Sequence, residues 1–378
     1  MIYLDNNATT KINEEVLAFA LPFLTTNFAN ASSTHRFGLA ANEAVKNARK
    51  QVAHLLACEP NEIIFTSGAT EAINLVIKGL QSVPNRKHIL TVQTEHTAVL
   101  DTCAYMESIG YEVTYLPVQR SGLLDLGLLK EHITENTLLV CVMFANNEIG
   151  TIQPIKQIAD LAHEKGAYFF TDATQAVGKI PVKVNDLGVD FLAFSGHKLH
   201  APKGIGALYV RAQAGRKAHL TPLQHGGGHE RGLRSGTLNV FGIVGLGQAC
   251  EVAQKNMEKN ATKIAEMRDF LEKELLKIEN TFVNGNIENR LPNTTNICFE
   301  GADSEAIILG LEDIAVSNGS ACTSMKIEPS HVLKAIGLTD EQAFQSIRLS
   351  LSKYNTMEEM KIAAEKITQL VKELREML

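Results

Sequence analysis

The sequence predicts an α/β protein: a large domain wound on a mostly parallel seven-stranded sheet, joined to a smaller C-terminal α+β domain. Three observations carry this. Short apolar runs alternate with helical patterns from about residue 35 to residue 210. Several of those runs are apolar at every position, as strands are when helices cover both faces of a sheet. A glycine-rich stretch, His225–Gly236, then breaks the rhythm, and a long charged, amphipathic segment follows it.

In chain order, Arg36–Cys58 places Val45, Ala48, Val52, Leu55 and Leu56 on one face at helical spacing. Candidate strands follow at Ile63–Thr66, His88–Val92, Val113–Leu116, Leu138–Met143, Tyr168–Thr171, Phe191–Phe194 and Ala207–Val210. Between them Glu71–Leu80, Thr97–Gly110 and Ile155–Lys165 read as helices. Glu251–Glu279 reads as one long helix leading into the second domain, with the lysine and glutamate run Lys255–Lys277 as its solvated face. Beyond it Thr295–Phe299 and Ile347–Ser350 read as strands, Ser304–Leu311 and Met357–Met377 as helices, and Ser317–Ser330 as a loop. The expected division is a large domain over 13–256 and a small one made of 1–12 with 257–378.

Composition bounds the function classes. A hydrophobic fraction of 45% and a charged fraction of 21% are ordinary for a globular protein. Thirty-six basic against 42 acidic residues, a formal charge of −6, argue against a general nucleic-acid binder. Met1–Asn7 has neither the basic nor the apolar region of a secretory signal, and Leu138–Ala145 is too short to span a bilayer. The six cysteines, Cys58, Cys103, Cys141, Cys250, Cys298 and Cys322, form no CxxC pair and no zinc-like cluster. A cytoplasmic, reduced protein is expected, a setting in which one exposed thiol can serve as a nucleophile.

The polar residues that carry chemistry collect where strands end, the place where open parallel sheets bind ligands. Ile63–Thr66 runs into Ser67, Gly68, Ala69 and Thr70, a glycine turn and helix N-terminus that offers free N–H groups to an anion. Such a turn alone more often only caps a helix. Tyr168–Thr171 ends in Asp172, with Gln175 three residues on; this carboxylate is either a helix cap or a partner for a protonated ring nitrogen. Phe191–Phe194 ends in Ser195, Gly196, His197 and Lys198. A lysine there is usually at the surface, but in a desolvated pocket its affinity for a proton falls and it becomes a Schiff-base nucleophile. Together these make a coherent set: an anion cradle, a ring carboxylate and a reactive amine on one sheet.

In these and further motifs the chain closely resembles the NifS/IscS-type cysteine desulfurases, members of the class V aminotransferase group of fold-type I pyridoxal-phosphate enzymes. The resemblance covers nearly the whole chain. It runs through YLDNNATT at Tyr3–Thr10, FTSGATE at Phe65–Glu71, TEH at Thr94–His96 and NNEIG at Asn146–Gly150. It continues in TDATQ at Thr171–Gln175, SGHK at Ser195–Lys198, RSGT at Arg234–Thr237, SACT at Ser320–Thr323 and SIR at Ser346–Arg348.

The resemblance implies roles residue by residue. Lys198 holds pyridoxal 5′-phosphate covalently, Asp172 pairs with its ring nitrogen and His96 stacks on the ring. Gln175 bonds the ring hydroxyl, and Asn147 lies beside it near the substrate carboxylate. Ala69, Thr70, Ser195 and His197 hold the phosphate, which Thr237 reaches from the other subunit of a homodimer. Arg348 clamps the substrate carboxylate, its planar fork suiting bidentate recognition. Lys198 moves the α-proton of L-cysteine, and Cys322 takes the sulfur as a persulfide while L-alanine leaves. An iron–sulfur scaffold protein is the implied sulfur acceptor, and a metal contact is implied only at Cys322, transiently, through the persulfide.

Cys322 sits in a run of small polar residues, Ser317–Ser324, which suits exposure; the other five cysteines lie in apolar or helical runs and read as core. His225 and His229 are separated by three glycines, which forbid the helix that would align them on zinc. The family usually carries Gln where this chain has His229. The nearest rivals are a selenocysteine lyase or an aminotransferase of the same group; a rival of another class is a non-catalytic assembly subunit. Simple transamination needs no reactive cysteine, and a non-catalytic relative needs none of Lys198, Asp172, His96 or Cys322.

Overall fold

The computed structural model describes residues 1–82, 85–212, 219–319 and 328–377. Among them, twelve strands form three sheets: β1 (Ile2–Tyr3), β2 (Ile63–Thr66), β3 (His88–Val92), β4 (Glu112–Leu116), β5 (Thr137–Cys141), β6 (Tyr168–Asp172), β7 (Phe191–Ser195), β8 (Gly206–Val210), β9 (Thr281–Val283), β10 (Thr294–Phe299), β11 (Ile314–Ala315) and β12 (Ser346–Ser350). The large sheet has the order β2-β8-β7-β6-β5-β3-β4. Its pairs are parallel except those of β8, which runs against both β2 and β7.

Apolar residues at consecutive positions let these strands bury both faces. Phe65, Leu90, Val140, Phe169, Leu192 and Tyr209 join one core with helices Arg36–Leu56 and Ile155–Glu164. Their neighbours Ile64, Ile89, Leu139, Phe170, Phe191 and Leu208 face the other side and pack with helices Ala69–Gly79 and Thr97–Ser108. Each such side chain contributes about 1.5–3 kcal/mol when fully buried. The outer edge of β2 is closed by charge: Glu230 accepts from Phe65 N–H at 2.8 Å and from both Arg49 Nη atoms, and Arg49 also donates to the Ile63 carbonyl. An edge strand is thereby kept from pairing elsewhere.

The helix expected over Glu251–Glu279 runs from Val240 to Leu275, about 54 Å at the standard rise. Its first eleven residues are apolar and glycine-rich except for Gln248, so they carry no amphipathic stripe; all but the half-buried Phe241 are buried. Gly245 and Gly247 make that possible, because a Cβ on Gly247 would stand 2.6 Å from Ala48 Cα and one on Gly245 2.8 Å from Pro202. The far end, Ile264–Leu275, packs into a separate core with Ile2, Leu4, β10, β12 and helix Met357–Glu376. The helix Arg36–Leu56 stops before Cys58 because Ala57 turns left-handed, with φ 54°. Strand β5 leaves regular pairing after Cys141, although Val142 and Phe144 N–H still bond the Phe170 and Asp172 carbonyls. Parallel strands β6 and β7 therefore end together, side by side with this extension, and their ends open on one cavity.

Candidate active site

Ten of the residues singled out above line one cavity of about 340 Å³: Ala69, Thr70, His96, Asn147, Asp172, Gln175, Ser195, His197, Lys198 and Arg348. Thr237 is exposed and lies off that lining, and Cys322 lies outside the described residues.

At one end stands the helix Ala69–Gly79, whose first N–H, on Ala69, donates to Ser195 Oγ at 2.8 Å. The close approach of β8 to this turn requires glycine at 206. A Cβ on Gly206 would sit 2.6 Å from Gly68 Cα and 2.5 Å from the Phe194 carbonyl. The helix N-terminus, the Thr70 and Ser195 hydroxyls and the His197 imidazole form a cradle whose donors suit a phosphate. Burial, then the charges of Lys198, Lys203 and Lys179, push His197 down to about 4. It is therefore neutral at neutral pH, with Nδ1 3.1 Å from Thr9 Oγ1.

Lys198 closes the single 3₁₀ turn after β7, and its Nζ donates to the carbonyls of Asn7 at 2.5 Å and Ala8 at 2.6 Å. Asp172, at the last position of β6, is buried and accepts from Thr174 N–H at 2.9 Å. His96 caps helix Thr97–Ser108: its Nδ1 accepts from Ala98 N–H at 3.1 Å, which fixes the ring. The lining thus offers an anion cradle, a carboxylate and an amine in one cavity, the set that a phosphorylated pyridine aldehyde requires.

At the opposite rim Arg348, on β12, is 3% exposed. Nη2 donates to Asp5 Oδ1 at 2.7 Å and Nη1 to the Asn147 carbonyl at 3.1 Å, while Nε has no hydrogen-bond partner among the described residues. The contact of Asn147 with this guanidinium is made by its backbone. Gln175 donates from Nε2 to the Asn7 carbonyl at 3.0 Å.

Sequence reasoning assigned no role to four residues around this cavity. Asn7 is the hub just described. Lys179, well below its usual range through burial and then the charges of Lys198 and Arg348, donates to Gln175 and Asn7. Glu95, wholly buried behind His96, is held well above the usual carboxylate range by burial and then by Asp172, although Met143 N–H donates to it. Asp5 pairs with Arg348. Asn7, Asp5 and Glu95 were visible inside the quoted motifs, but nothing in their type or spacing announces which partner they meet. His229, where the family differs, has Nε2 3.2 Å from Ser32 Oγ and Nδ1 accepting from Gly236 N–H.

The five described cysteines are free thiols, four buried and Cys58 half-buried. Burial pushes Cys58 and Cys103 up to about 12 and Cys298 to about 11, and raises Cys141 and Cys250 further. None of them is a thiolate at neutral pH.

The model of the aminotransferase class-V family matches residues 2–362. A protein named cysteine desulfurase IscS from Pectobacterium carotovorum is 48% identical over 381 aligned residues, covering all of this chain and 94% of that one. Among solved structures, a NifS-like protein superposes with a TM-score of 0.92 at 37% identity, covering 98% of this chain and 99% of its own. One described as SspA in complex with cysteine gives 0.82 at 38% identity over 94% of this chain and all of its own.

Proposed function

The chain belongs to the aminotransferase class-V family and works as a pyridoxal-phosphate-dependent cysteine desulfurase, and we propose that Lys198 holds the cofactor while Cys322 takes sulfur from L-cysteine, leaving L-alanine. The observation that carries the residue assignment is the opening of Lys198, Asp172 and the Ala69–Ser195 cradle onto one cavity.

The cofactor supplies an electron sink next to the substrate's amino group. The chain's own residues do the rest. The neutral His197, the Ser195 hydroxyl and the helix N-terminus hold the phosphate. Asp172, fixed by Thr174 N–H, keeps the ring nitrogen protonated. Lys198 would hold the cofactor and, opening on the same cavity, could take the α-proton of the substrate and return a proton to carbon. Arg348 is already oriented by Asp5 and the Asn147 carbonyl, so it meets the substrate carboxylate with little loss of rotamer freedom. The Cys322 thiolate forms an S–S bond with the substrate sulfur as the Cβ–S bond breaks. That electron pair stays on the carbon side, which takes up a proton to become alanine.

A homodimer belongs to the same proposal. Its support is the exposed apolar stretch near the N-terminus, with Phe19, Leu24, Phe28, Phe37 and Leu39 each more than half exposed, and the exposed position of Thr237, free to reach a partner's phosphate. An iron–sulfur scaffold as acceptor, with a transient metal contact through the Cys322 persulfide, is supported by the resemblance of the Ser320–Thr323 motif. A cytoplasmic setting is supported by chemistry, because a sulfur-accepting thiol must stay reduced.

The test is to supply L-cysteine to the purified holoenzyme and measure alanine, borohydride-trapped cofactor and added sulfur by peptide mass. Alanine formation with cofactor fixed on Lys198 and one extra sulfur on the Cys322 peptide is expected. Cofactor trapped on Lys203 or Lys179, or alanine formed with no protein-bound sulfur, overturns the assignment.

A further inference from the structure

Glu148 is buried, 4% exposed, in the turn between β5 and helix Ile155–Glu164, and it is absent from the cavity lining. The turn is rigid: Asn146 Oδ1 accepts from the N–H groups of Glu148 and Ile149, and Asn146 Nδ2 donates to the Thr94 carbonyl. The carboxylate meets two residues far along the chain. Ser330 Oγ donates to Glu148 Oε2 at 2.5 Å, and the same hydroxyl caps helix His331–Ala335 by accepting from Leu333 N–H. Gly319 lies against Oε2 from the other side. Its φ is +88°, and a Cβ there would stand 2.4 Å from that oxygen, so no other residue fits.

Gly319 immediately precedes the segment that holds Cys322, and Ser330 follows it two residues beyond Glu328, the first described residue on that side. Both flanks are tied to the cavity by further bonds. Ser317 pairs with the backbone of Arg348, and His331 Nε2 stands 2.9 Å from the Glu95 carbonyl, next to His96. One buried oxygen therefore meets a residue on each side of the segment that carries Cys322. We propose that Glu148 is a positioning residue for sulfur transfer, holding Gly319 and Ser330 on either side of the segment that carries Cys322. Fixing both ends of a short segment raises the effective concentration of a group it carries, and a misplacement of about 1 Å can cost roughly 100-fold in rate. The inference rests on the proposed function, in which Cys322 is the acceptor.

The experiment uses holoenzyme bearing Glu148→Ala, Ser330→Ala or both, with Glu148→Gln as the conservative control. Two rates are read: the change in cofactor absorbance on mixing with L-cysteine, and the appearance of added sulfur on the Cys322 peptide. The first is expected to stay within about twofold of wild type, because cavity residues alone govern it. The second is expected to fall about 10- to 100-fold in each single variant. The double variant should fall no further, since the two residues act through one contact, and Glu148→Gln should recover part of the rate by keeping an acceptor for Ser330. Sulfur transfer at wild-type rate in Ser330→Ala, both rates falling together, or multiplicative losses in the double variant would each overturn the proposal. Should Glu148→Ala fail to fold, the removal of one hydroxyl in Ser330→Ala decides alone. Wild-type protein that gains no sulfur on Cys322 would count against the proposed function instead.

Discussion

Lys179 Nζ donates to Gln175 Oε1 at 2.6 Å, which leaves the Gln175 amide one orientation, with Nε2 on the Asn7 carbonyl. That carbonyl also receives Lys198 Nζ, so a buried ammonium fixes, through one amide and one carbonyl, the surroundings of the amine proposed to hold the cofactor. Burying the ammonium is itself costly, as its depressed proton affinity records. Lys179→Met should therefore leave the melting temperature of the cofactor-free protein unchanged or higher. It should weaken cofactor binding about tenfold, the loss expected of one charge-assisted bond. Thermal melts and an absorbance titration with pyridoxal phosphate check both; unchanged affinity would refute the link.

Glu95 gives a pH signature. Its folded-state proton affinity is raised by burial and by Asp172. As pH climbs above the unfolded value of 4.5, the unfolded chain ionises while the folded one keeps its proton, so stability is lost toward neutral pH. Glu95→Gln keeps an acceptor for Met143 N–H and removes this loss. The variant should melt about 2 °C or more above wild type at pH 7.5, the gap closing as pH falls to 4.5. A constant gap across that range would show that packing, not ionisation, is responsible.

His197 and His200 act in the opposite direction. Burial pushes both down to about 4 from 6.5. Between those values the unfolded chain binds protons that the folded one refuses, so their stabilising contribution is complete above pH 6.5 and is lost as pH falls toward 4. Denaturation midpoints measured at pH 7, 6 and 5 should fall steadily. In His197→Gln combined with His200→Gln the decline should be shallower, by up to two protons of slope. An identical decline in the double variant would place the acid sensitivity in other groups.

Much of this arrangement was legible in the sequence because β6 and β7 are short, begin as apolar runs and end in polar residues; Asp172 and Lys198 could hardly lie elsewhere than at strand ends. The Gly68–Thr70 turn was legible for the same reason. What stayed hidden depended on long-range meetings. Asn7 and Arg348 come from opposite ends of the chain, and Glu148 meets Ser330 across 182 positions. The start of the long helix was missed because Val240–Cys250 is buried except at the half-buried Phe241, so it lacks the polar face that periodicity needs.

The sulfur chemistry is tested by elimination among the thiols. Cys58, Cys103, Cys141, Cys250 and Cys298 are each kept protonated by burial, and Cys298 also faces the Gln342 carbonyl. A thiol held that far above its ordinary range is a thiolate in less than about one molecule in a thousand at pH 7.5. Brief iodoacetamide treatment of native protein should therefore add one label, on the Cys322 peptide, and the other five should react only after unfolding. Cys322→Ser has nearly the same volume and no nucleophilic sulfur. It should take up no label, still bind cofactor and change its absorbance with L-cysteine, yet release alanine at least 100-fold more slowly, the order of loss seen when a covalent nucleophile is removed. Single replacements of the buried cysteines should instead lower stability by about 1–3 kcal/mol with turnover largely kept. Near wild-type alanine release from Cys322→Ser would mean that sulfur leaves without passing through a protein thiol, and the enzyme would then act as a lyase.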